Sequence, residues 1–316
     1  MGVLSDEMWA RVEPLLPSSD GLRGGRWSDH RMVVEGIVWR YRTGSPWRDV
    51  PECFGSWQTV WKRHDRWAAN GTWDRLLTEL SADADAAGEL DWVVSVDSSI
   101  NRAHQHAAGA RRVVITDSNN ATAGDADTGA VSNDKDPPSE LSLQWVGRGC
   151  AEPSDHALGR SRGGFSCKLH LICDGRGLPL SIGLTSGNVN DTTMLGPALV
   201  DIHVPRRGPG RPRTRPDRLL GDKGYSSAAN RAMLTRRRIA VTIPERIDQL
   251  ANRRRRGRAG GRPHAFNPRT YKGRNVVERC FNRFKQWRGI ATRYDKKAVN
   301  YRAGIVLASV ILWLKT

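Results

Sequence analysis

The chain has 316 residues, of which 38% are hydrophobic and 26% charged, so it is long enough to bury a core and too apolar to be wholly disordered. Its 50 lysine and arginine residues outnumber 33 acidic ones, and the net charge of +17 indicates a polyanionic partner, most simply nucleic acid, with solubility alone as the alternative. The five cysteines form no CxxC pair, which argues against a disulfide framework or a zinc finger and favours a reducing cytoplasm.

The first ninety residues contain most of the tryptophans. Nine of the twelve lie before residue 93, in apolar patterns of helical spacing. Polar residues suited to capping helices precede four of these patterns, at Ser5, Ser28, Ser56 and Thr72. We therefore predict a helical, tryptophan-rich domain over residues 1–90.

The third of these helices carries three basic side chains, Lys62, Arg63 and Arg66, which are predicted to project away from its aromatic face. A basic helix of this kind can act as the recognition helix of a helix-turn-helix motif in the major groove of DNA. A solvated basic face over a tryptophan core is the alternative. We predict that the domain is helix-turn-helix-like and that these three residues bind DNA.

After residue 90 the pattern changes to short apolar strands. Five segments have the composition of strands: residues 92–97, 165–173, 178–185, 218–222 and 239–244. Four segments are predicted as helices: residues 192–202, residues 226–238, a long helix from about Arg274 and another from about Ala303. Three strands followed by alternating helices and strands indicate an α/β domain over residues 91–316.

Three stretches break this order. Residues 113–164 are rich in Asp, Asn, Ser, Gly and Pro and are predicted to be an irregular insertion or disordered. Residues 206–218 and 253–262 are arginine-rich and are predicted to be flexible loops that grip phosphates without reading sequence, or else solvated loops. The second block contributes four predicted DNA-binding residues, which are Arg253, Arg254, Arg255 and Arg256.

Two aspartates follow apolar strands. Asp97 ends the first predicted strand, and Asp222 ends the fourth, just before a predicted tight turn. Strand ends in α/β folds face the functional crevice. An aspartate at such a position is more often a turn or cap residue, so either one alone is weak support for a site. Together they place two carboxylates on what are plausibly neighbouring strands.

A third carboxylate, Glu278, belongs to a group with Tyr271, Arg274 and Lys285. Counted from the tyrosine, the other three follow at offsets of three, seven and fourteen residues, which fall in one stripe of a helix. An exposed, ion-paired stripe is the alternative. Three acids would suit two divalent ions about 4 Å apart, which can assist displacement at a phosphodiester.

These residues carry a resemblance to bacterial insertion-sequence transposases. Asp222-Lys223-Gly224-Tyr225 matches the D-x-[GA]-[YF] signature around the second acid of those enzymes. The spacing from Tyr271 to Lys285 matches the Y-R-E-K signature around their third acid, and Val96-Asp97-Ser98 looks like the strand of the first. Over nearly its whole length, the chain resembles a DDE transposase of the insertion sequence 5 family.

The resemblance implies an RNase H-like core with a mixed five-stranded sheet. It implies that Asp97, Asp222 and Glu278 are catalytic and hold two Mg²⁺ ions, for which Mn²⁺ can substitute. It further implies binding to terminal inverted repeats, hydrolysis at the element ends, and attack of the freed 3′-hydroxyl on target DNA. Arg274 and Lys285 would contact phosphates near the cut, and Tyr271 would help to place the strand.

One departure from the family leaves an alternative open. Residues 113–147 look inserted or replaced relative to the shorter link that is usual in the family. A surface loop tolerates such an insertion, but it can also mark a catalytically inactive DNA-binding relic or a repressor of its own element. Another RNase H-like nuclease, such as a resolvase, is a third possibility, against which the Y-R-E-K stripe argues.

Two histidines lie close together after the first predicted strand. His104 and His106 have the spacing of a zinc pair, but no third ligand is evident, so a segment near the DNA or the active site is preferred.

Because two element ends must be held at once, we expect a homodimer or larger synaptic complex on double-stranded DNA. The N-terminus lacks the basic region of a secretory signal, and the longest apolar run, residues 303–314, is too short for a membrane span. We expect a bacterial cytoplasmic, nucleoid-associated protein.

Overall fold

The computed structural model describes residues 2–18, 27–110, 145–161 and 163–316. In this part of the chain the helices are α1 (Asp6–Val12), α2 (His30–Thr43), α3 (Trp57–Ala69), α4 (Thr72–Ala86), α5 (Gln105–Ala108), α6 (Leu195–Val200), α7 (Ala228–Arg236), α8 (Ile247–Arg255), α9 (Pro268–Lys272), α10 (Asn275–Lys285), α11 (Arg288–Ala291) and α12 (Ala298–Leu314). The strands are β1 (Val93–Ala103), β2 (Gly159–Ser161), β3 (Gly164–Cys173), β4 (Pro179–Ser186), β5 (Arg218–Gly221), β6 (Ala240–Thr242) and β7 (Thr292–Arg293).

The four predicted N-terminal helices are present. Ser5 caps α1 by accepting a hydrogen bond from the Met8 amide at 3.2 Å. The cap of α2 is Asp29 and not Ser28, since its carboxylate accepts from the Arg31 amide at 2.7 Å. The helix ends at Gly44, which has a positive φ of 73° that a residue without a Cβ adopts readily.

One mixed sheet forms the centre of the described part of the chain. Its long strands lie in the order β4-β3-β1-β5-β6, with β2 beside β3 and β7 beside β1. The pairs β1–β3 and β3–β4 are antiparallel, and the pairs β1–β5 and β5–β6 are parallel. This is the RNase H-like arrangement, so the predicted fold class is confirmed.

The first strand is longer than predicted. Residues 92–97 were expected to form it, but β1 continues to Ala103 because β3 pairs with it from Ser95 to Arg102. Only the parallel partner β5 stops early, at Gly221. Asp97 therefore lies inside a strand, at the point where its parallel neighbour ends, rather than at the end of the strand as predicted.

The C-terminal helix α12 packs against α4, α3 and β4, and nearly all of its side chains are buried. A buried ion pair fixes this contact: the Arg302 guanidinium donates to both carboxylate oxygens of Asp74 on α4, at 2.8 and 2.9 Å. The predicted boundary at residue 90 falls between α4 and β1, yet the helices on either side share one hydrophobic core. In the described residues, no helix is long and apolar enough to cross a membrane.

The two arginine-rich segments differ from the predicted flexible loops. Arg253–Arg255 belong to α8, because arginine is a good helix former and cations are favoured near a helix C-terminus. The first segment contains no helix. Its Arg207 forms ion pairs with two acids of α4: its Nη1 lies 2.6 Å from Glu79 and its Nε lies 2.6 Å from Asp83. Arg213 stacks on Trp92, 4.0 Å from the ring centre.

The segment predicted to be irregular, residues 113–164, is described only in part. Residues 111–144 lie outside the described residues. Residues 147–158 contain only turns and loop, as predicted, whereas Val146 pairs with Leu184 of β4 and β2 pairs with β3. Trp145 packs against the sheet, with its ring 5.8 Å from that of His170.

Candidate active site

Asp97 lies on β1, and Asp222 is the first residue after its parallel neighbour β5. Val96 of β1 is paired with Gly221 of β5, so the residue after each member of this pair is an aspartate. Parallel neighbours in register point to the same face of a sheet, which brings the two carboxylates together. Asp97 Oδ1 accepts from the Ser98 amide at 2.8 Å, and Asp222 Oδ1 accepts from the Gly224 amide at 2.8 Å.

Glu278 reaches this site from α10. The apolar face of that helix, which includes Val277 and Phe281, packs on β1 and β3, and Glu278 lies at the border of this face, where it remains 49% exposed. Arg274 precedes the helix and bridges the acids. Its Nη1 donates to Asp97 Oδ2 at 3.1 Å, and its Nη2 contacts Glu278 Oε1. One guanidinium thus links the first and third acids.

Burial and neighbouring negative charge raise the pKa of two groups in the site. Burial raises the pKa of Asp97, and the charges of Asp222 and Glu278 act in the same direction against the opposing Ser98 amide and Arg274. Burial also raises the pKa of the Tyr225 phenol well above its ordinary value, helped by the charges of nearby aspartates. Tyr225, which follows the second acid in the turn Lys223–Tyr225, therefore stays neutral beside the carboxylates.

The donor chemistry of the three acids suits Mg²⁺, which prefers oxygen ligands. In the described part of the chain, no three acidic, histidine or cysteine side chains converge closely enough to hold a cation by themselves. Two carboxylates such as Asp97 and Asp222 are nevertheless sufficient, because Mg²⁺ is commonly held by one or two carboxylates with water and substrate phosphates. A raised pKa at Asp97 also marks a place where added positive charge would be favourable.

The predicted Y-R-E-K stripe is only partly one helix. Tyr271 lies on α9, and the chain turns through Gly273 and Arg274 before α10 begins. The Tyr271 ring still lies beside the active-site arginine, with its centre 5.8 Å from the Arg274 guanidinium carbon. Lys285 is exposed in the last turn of α10, with no contact to the acids among the described residues.

The predicted basic face of α3 is altered at one residue. Lys62 and Arg66 are exposed, as expected. Arg63 is buried, because its guanidinium packs over the rings of Trp27 and Trp67 at 4.4 and 5.3 Å. The prediction that Arg63 points away from the aromatic face is therefore wrong, and the physical reason is cation–π contact with an aromatic wall.

The second arginine block is not brought to the acids. Arg253 pairs with Glu245, with Nη1 2.6 Å from Oε2, and Arg255 donates to Asn252 at 2.9 Å. Arg254 and Arg256 are exposed on and just after α8.

Several residues that shape the site were not found from the sequence. Asn230 on α7 donates to Tyr225 O at 3.2 Å and to Thr192 O at 3.0 Å, which ties the Asp222 turn to the segment before α6. The tyrosine of the D-x-[GA]-[YF] match was the available signal, but nothing in the sequence paired it with Asn230. His104 caps the short α5, and its ring meets the His106 ring edge to face, with the ring centres 4.6 Å apart.

Comparison with known proteins agrees with this geometry. A family model described as "Putative transposase of IS4/5 family" matches residues 4–77, and one described as "Transposase DDE domain" matches residues 89–313. No solved structure matches the chain significantly.

Three relatives of the chain are bacterial proteins, two of which are named as putative transposases of insertion elements. The chain is 41% identical over 110 residues to the uncharacterized protein y4sN of Sinorhizobium fredii. This match covers 34% of this chain and 83% of that protein. It is 33% identical over 150 residues to a putative transposase of the element IS402 of Burkholderia cepacia, 47% of this chain and 63% of that protein. It is 26% identical over 151 residues to a putative transposase of IS6501 of Brucella ovis, 48% of this chain and all of that protein. Since the DDE domain model matches more than half of the chain, and the acids lie on an RNase H-like sheet, the protein belongs to the insertion-sequence DDE transposases.

Proposed function

We propose that the protein is an active transposase that binds the terminal inverted repeats of its element, cuts the element ends and joins them to target DNA. The observation that carries this proposal is the pairing of Val96 with Gly221, each followed by an aspartate, with Glu278 joined to Asp97 through Arg274. We further propose that it acts in the bacterial cytoplasm, on nucleoid DNA.

Two phosphoryl transfers make up the proposed reaction. In the first, a water oxygen forms a bond to the phosphorus at the element end, the bond from phosphorus to the 3′-oxygen breaks, and that oxygen leaves as a 3′-hydroxyl with a proton. In the second, this hydroxyl attacks a target phosphodiester, and the target 3′-oxygen leaves as a hydroxyl. One phosphodiester is exchanged for another, so no external energy source is needed.

Asp97, Asp222 and Glu278 would hold two Mg²⁺ ions, with Mn²⁺ as a possible substitute. Bound there, the ions would activate the attacking oxygen and stabilise the leaving one. Arg274 would hold the scissile phosphate, since a guanidinium beside a transferring phosphoryl group stabilises its developing charge. Tyr271, which lies next to Arg274, would help to place the strand.

The remaining basic residues supply the proposed DNA contacts. Lys62 and Arg66 are exposed on α3, Lys285 is exposed at the end of α10, and Arg254, Arg255 and Arg256 are exposed on or just after α8. Arg63 and Arg253 would act through the contacts that they make within the protein. Two element ends must be held together, so we propose a homodimer or larger complex on DNA.

The test is cleavage of a labelled duplex that carries the element end, with Mg²⁺ or with EDTA. We expect 3′-end cutting and strand transfer that require Mg²⁺ and that are lost in Glu278→Gln. Glu52→Gln, which removes an exposed carboxylate from the N-terminal helices, is the matched control and should cut normally. Binding without cutting by the unchanged protein would overturn the active assignment in favour of an inactive relic. Retained cutting by Glu278→Gln would remove that residue from the site.

A further inference from the structure

A polar cavity lies at the end of β6, beside the turn that carries Asp222. Strands β5 and β6 are parallel, with Leu220 paired to Thr242, so the segments that follow them emerge at the same edge of the sheet. The cavity has a volume of about 370 Å³, within the range of small-ligand sites. Its polar lining includes Ser226, Arg231, Gln249, Asn252, Arg256 and His264.

The cavity has a surplus of positive charge. Three arginines line it, and Glu245 is the acid among the lining residues. That carboxylate already pairs with Arg253, with Nη1 2.6 Å from Oε2. In the described part of the chain, neither Arg231 nor Arg256 forms an ion pair, so two guanidinium charges remain to attract an anion.

One of these arginines is held in place by the protein. Arg231 Nη2 donates to Ile243 O at 2.8 Å and to Ser226 Oγ at 3.1 Å. Ser226 in turn donates to Gln249 Oε1 at 2.7 Å, which joins the end of the Asp222 turn to α8. The guanidinium is therefore positioned before any ligand binds, and positioning lowers the entropy cost of binding. Burial lowers the pKa of His264, with the charge of Arg231 acting in the same sense, as expected in an electropositive pocket.

We propose that this cavity binds a backbone phosphate of the DNA strand that the acids cut, through Arg231 and Arg256. The inference rests on the proposed function for the identity of the strand. Neighbouring strands of a sheet are about 4.8 Å apart, so β6 lies one strand beyond Asp222 and two beyond Asp97. A nucleic-acid strand laid across this edge would pass from the acids to the cavity within one to a few nucleotides. The contact would hold the strand in register and read no base.

The test uses Arg256→Gln, because Arg256 is exposed at the end of α8 whereas Arg231 supports the fold. The matched control is Arg236→Gln, an exposed arginine of α7 that does not line the cavity and gives the same change in charge. Binding of fluorescent element-end duplex is measured over a range of salt concentrations. We expect Arg256→Gln to bind about tenfold more weakly at low salt. The slope of log affinity against log salt should fall by about 0.9, as for one lost phosphate contact.

A second measurement locates the phosphate. Single methylphosphonates, which remove the charge of one phosphate, are placed in turn beside the cut site of the duplex. In the unchanged protein and in Arg236→Gln, one position within a few nucleotides of the cut should weaken binding. In Arg256→Gln the same substitution should weaken binding less, because only the contact with Arg231 remains to be lost. In a separate arm, added inorganic phosphate should weaken DNA binding by the unchanged protein and by Arg236→Gln more than chloride does at equal ionic strength, because it competes for the cavity. The excess effect should be smaller in Arg256→Gln, and an equal excess in that variant would overturn the assignment of the cavity.

The outcomes separate this inference from the function on which it rests. If the unchanged protein binds and cuts the duplex, and Arg256→Gln has the salt slope and methylphosphonate pattern of Arg236→Gln, the cavity assignment is wrong and the transposase assignment stands. If the unchanged protein does not bind element-end DNA at all, the proposed function fails, and this inference fails with it.

Discussion

Arg274 Nη1 lies 3.1 Å from Asp97 Oδ2, and the same guanidinium contacts Glu278. A cationic side chain therefore already joins two of the three carboxylates proposed to hold metal ions. The contact neutralises charge in a site where burial and neighbouring acids raise the pKa of Asp97. It also means that Arg274 and a divalent cation would compete for the same carboxylate oxygens.

This competition predicts the effect of Arg274→Gln on protein without DNA. In the absence of Mg²⁺, the variant should be less stable by about 1 kcal/mol, because Asp97 and Glu278 lose their common counter-ion at a partly exposed position. Added Mg²⁺ should raise the melting temperature of the variant more than that of the unchanged protein, since the cation no longer displaces the guanidinium. Thermal unfolding with and without Mg²⁺ measures both effects.

Lys285→Gln provides the control for this prediction. Lys285 lies on α10 and carries the same charge, but it does not touch the acids in the described structure. Its stabilisation by Mg²⁺ should equal that of the unchanged protein. Equal stabilisation of Arg274→Gln would show that the guanidinium and the cation do not share ligands.

The two aspartates are expected to be essential for cutting and dispensable for folding. Asp97→Asn and Asp222→Asn should each lower cleavage of element-end DNA by at least about 100-fold, because each removes a charged oxygen ligand beside the scissile phosphate. Both variants should still bind DNA, and their free energy of unfolding should change by no more than about 1 kcal/mol, since asparagine has the same shape. Gel analysis of labelled DNA measures cleavage and binding, and urea unfolding measures the change in the free energy of unfolding.

Asp248→Asn is the matched control, since Asp248 is an exposed aspartate at the start of α8 that pairs with Arg246. Its cleavage rate should match that of the unchanged protein. An aspartate variant of the site that still cuts at a similar rate would lose its catalytic assignment.

The buried ion pair between Asp74 and Arg302 should be far more important for stability than pairs at the surface. The two side chains are only 11% and 6% exposed, so Asp74→Ala leaves a guanidinium buried without its counter-charge. We expect a loss of about 3–5 kcal/mol in the free energy of unfolding, measured with urea. Glu79→Ala, which breaks the partly exposed pair with Arg207, should cost less than about 1 kcal/mol. Similar losses in the two variants would contradict this account of how α12 is held.

The buried imidazole of His64 predicts loss of stability in weak acid. Its Nε2 lies 3.1 Å from Asn300 O, and burial lowers its pKa from 6.5 to about 4. Between these two values the unfolded chain binds a proton that the folded chain does not, so stability falls as pH drops from about 6.5 to 4. The contribution is about 3 kcal/mol at most. Burial raises the pKa of Asp174 to about 6, which acts in the opposite direction over much of the same range.

The comparison of His64→Gln with His203→Gln isolates this contribution. Urea unfolding at several pH values between 7 and 4 should show a weaker decline for His64→Gln than for the unchanged protein. His203 is exposed, so its variant should follow the unchanged protein. Identical pH dependence of all three proteins would mean that His64 does not titrate as its burial implies.

Local patterns in the sequence predicted most of the elements. The serine before α1, the glycine after α2 and the β-branched residues at the start of β1 act within a few residues of themselves, so their effects are visible in the sequence. The positions of Asp97 and Asp222 after apolar runs were also informative, because Asp97 lies where the parallel neighbour of β1 ends and Asp222 follows that neighbour. Long-range partners were not visible. Arg63 was expected to be solvated, yet it packs on Trp27, and Arg253 was expected in a loop, yet it pairs with Glu245 from within a helix.

The sequence by itself determined the fold class, the three candidate acids and the resemblance to DDE transposases, because short-range periodicity and motif spacing carry that information. Only the tertiary structure decided which charges meet. It joined Arg274 to Asp97, took Arg207 to the acids of α4, and placed Arg231 and Arg256, which form no ion pair within the described residues, around a cavity beside the Asp222 turn. With 41 arginines in the chain, composition predicts a basic protein, but the role of each arginine depends on the partner that folding brings within about 3 Å.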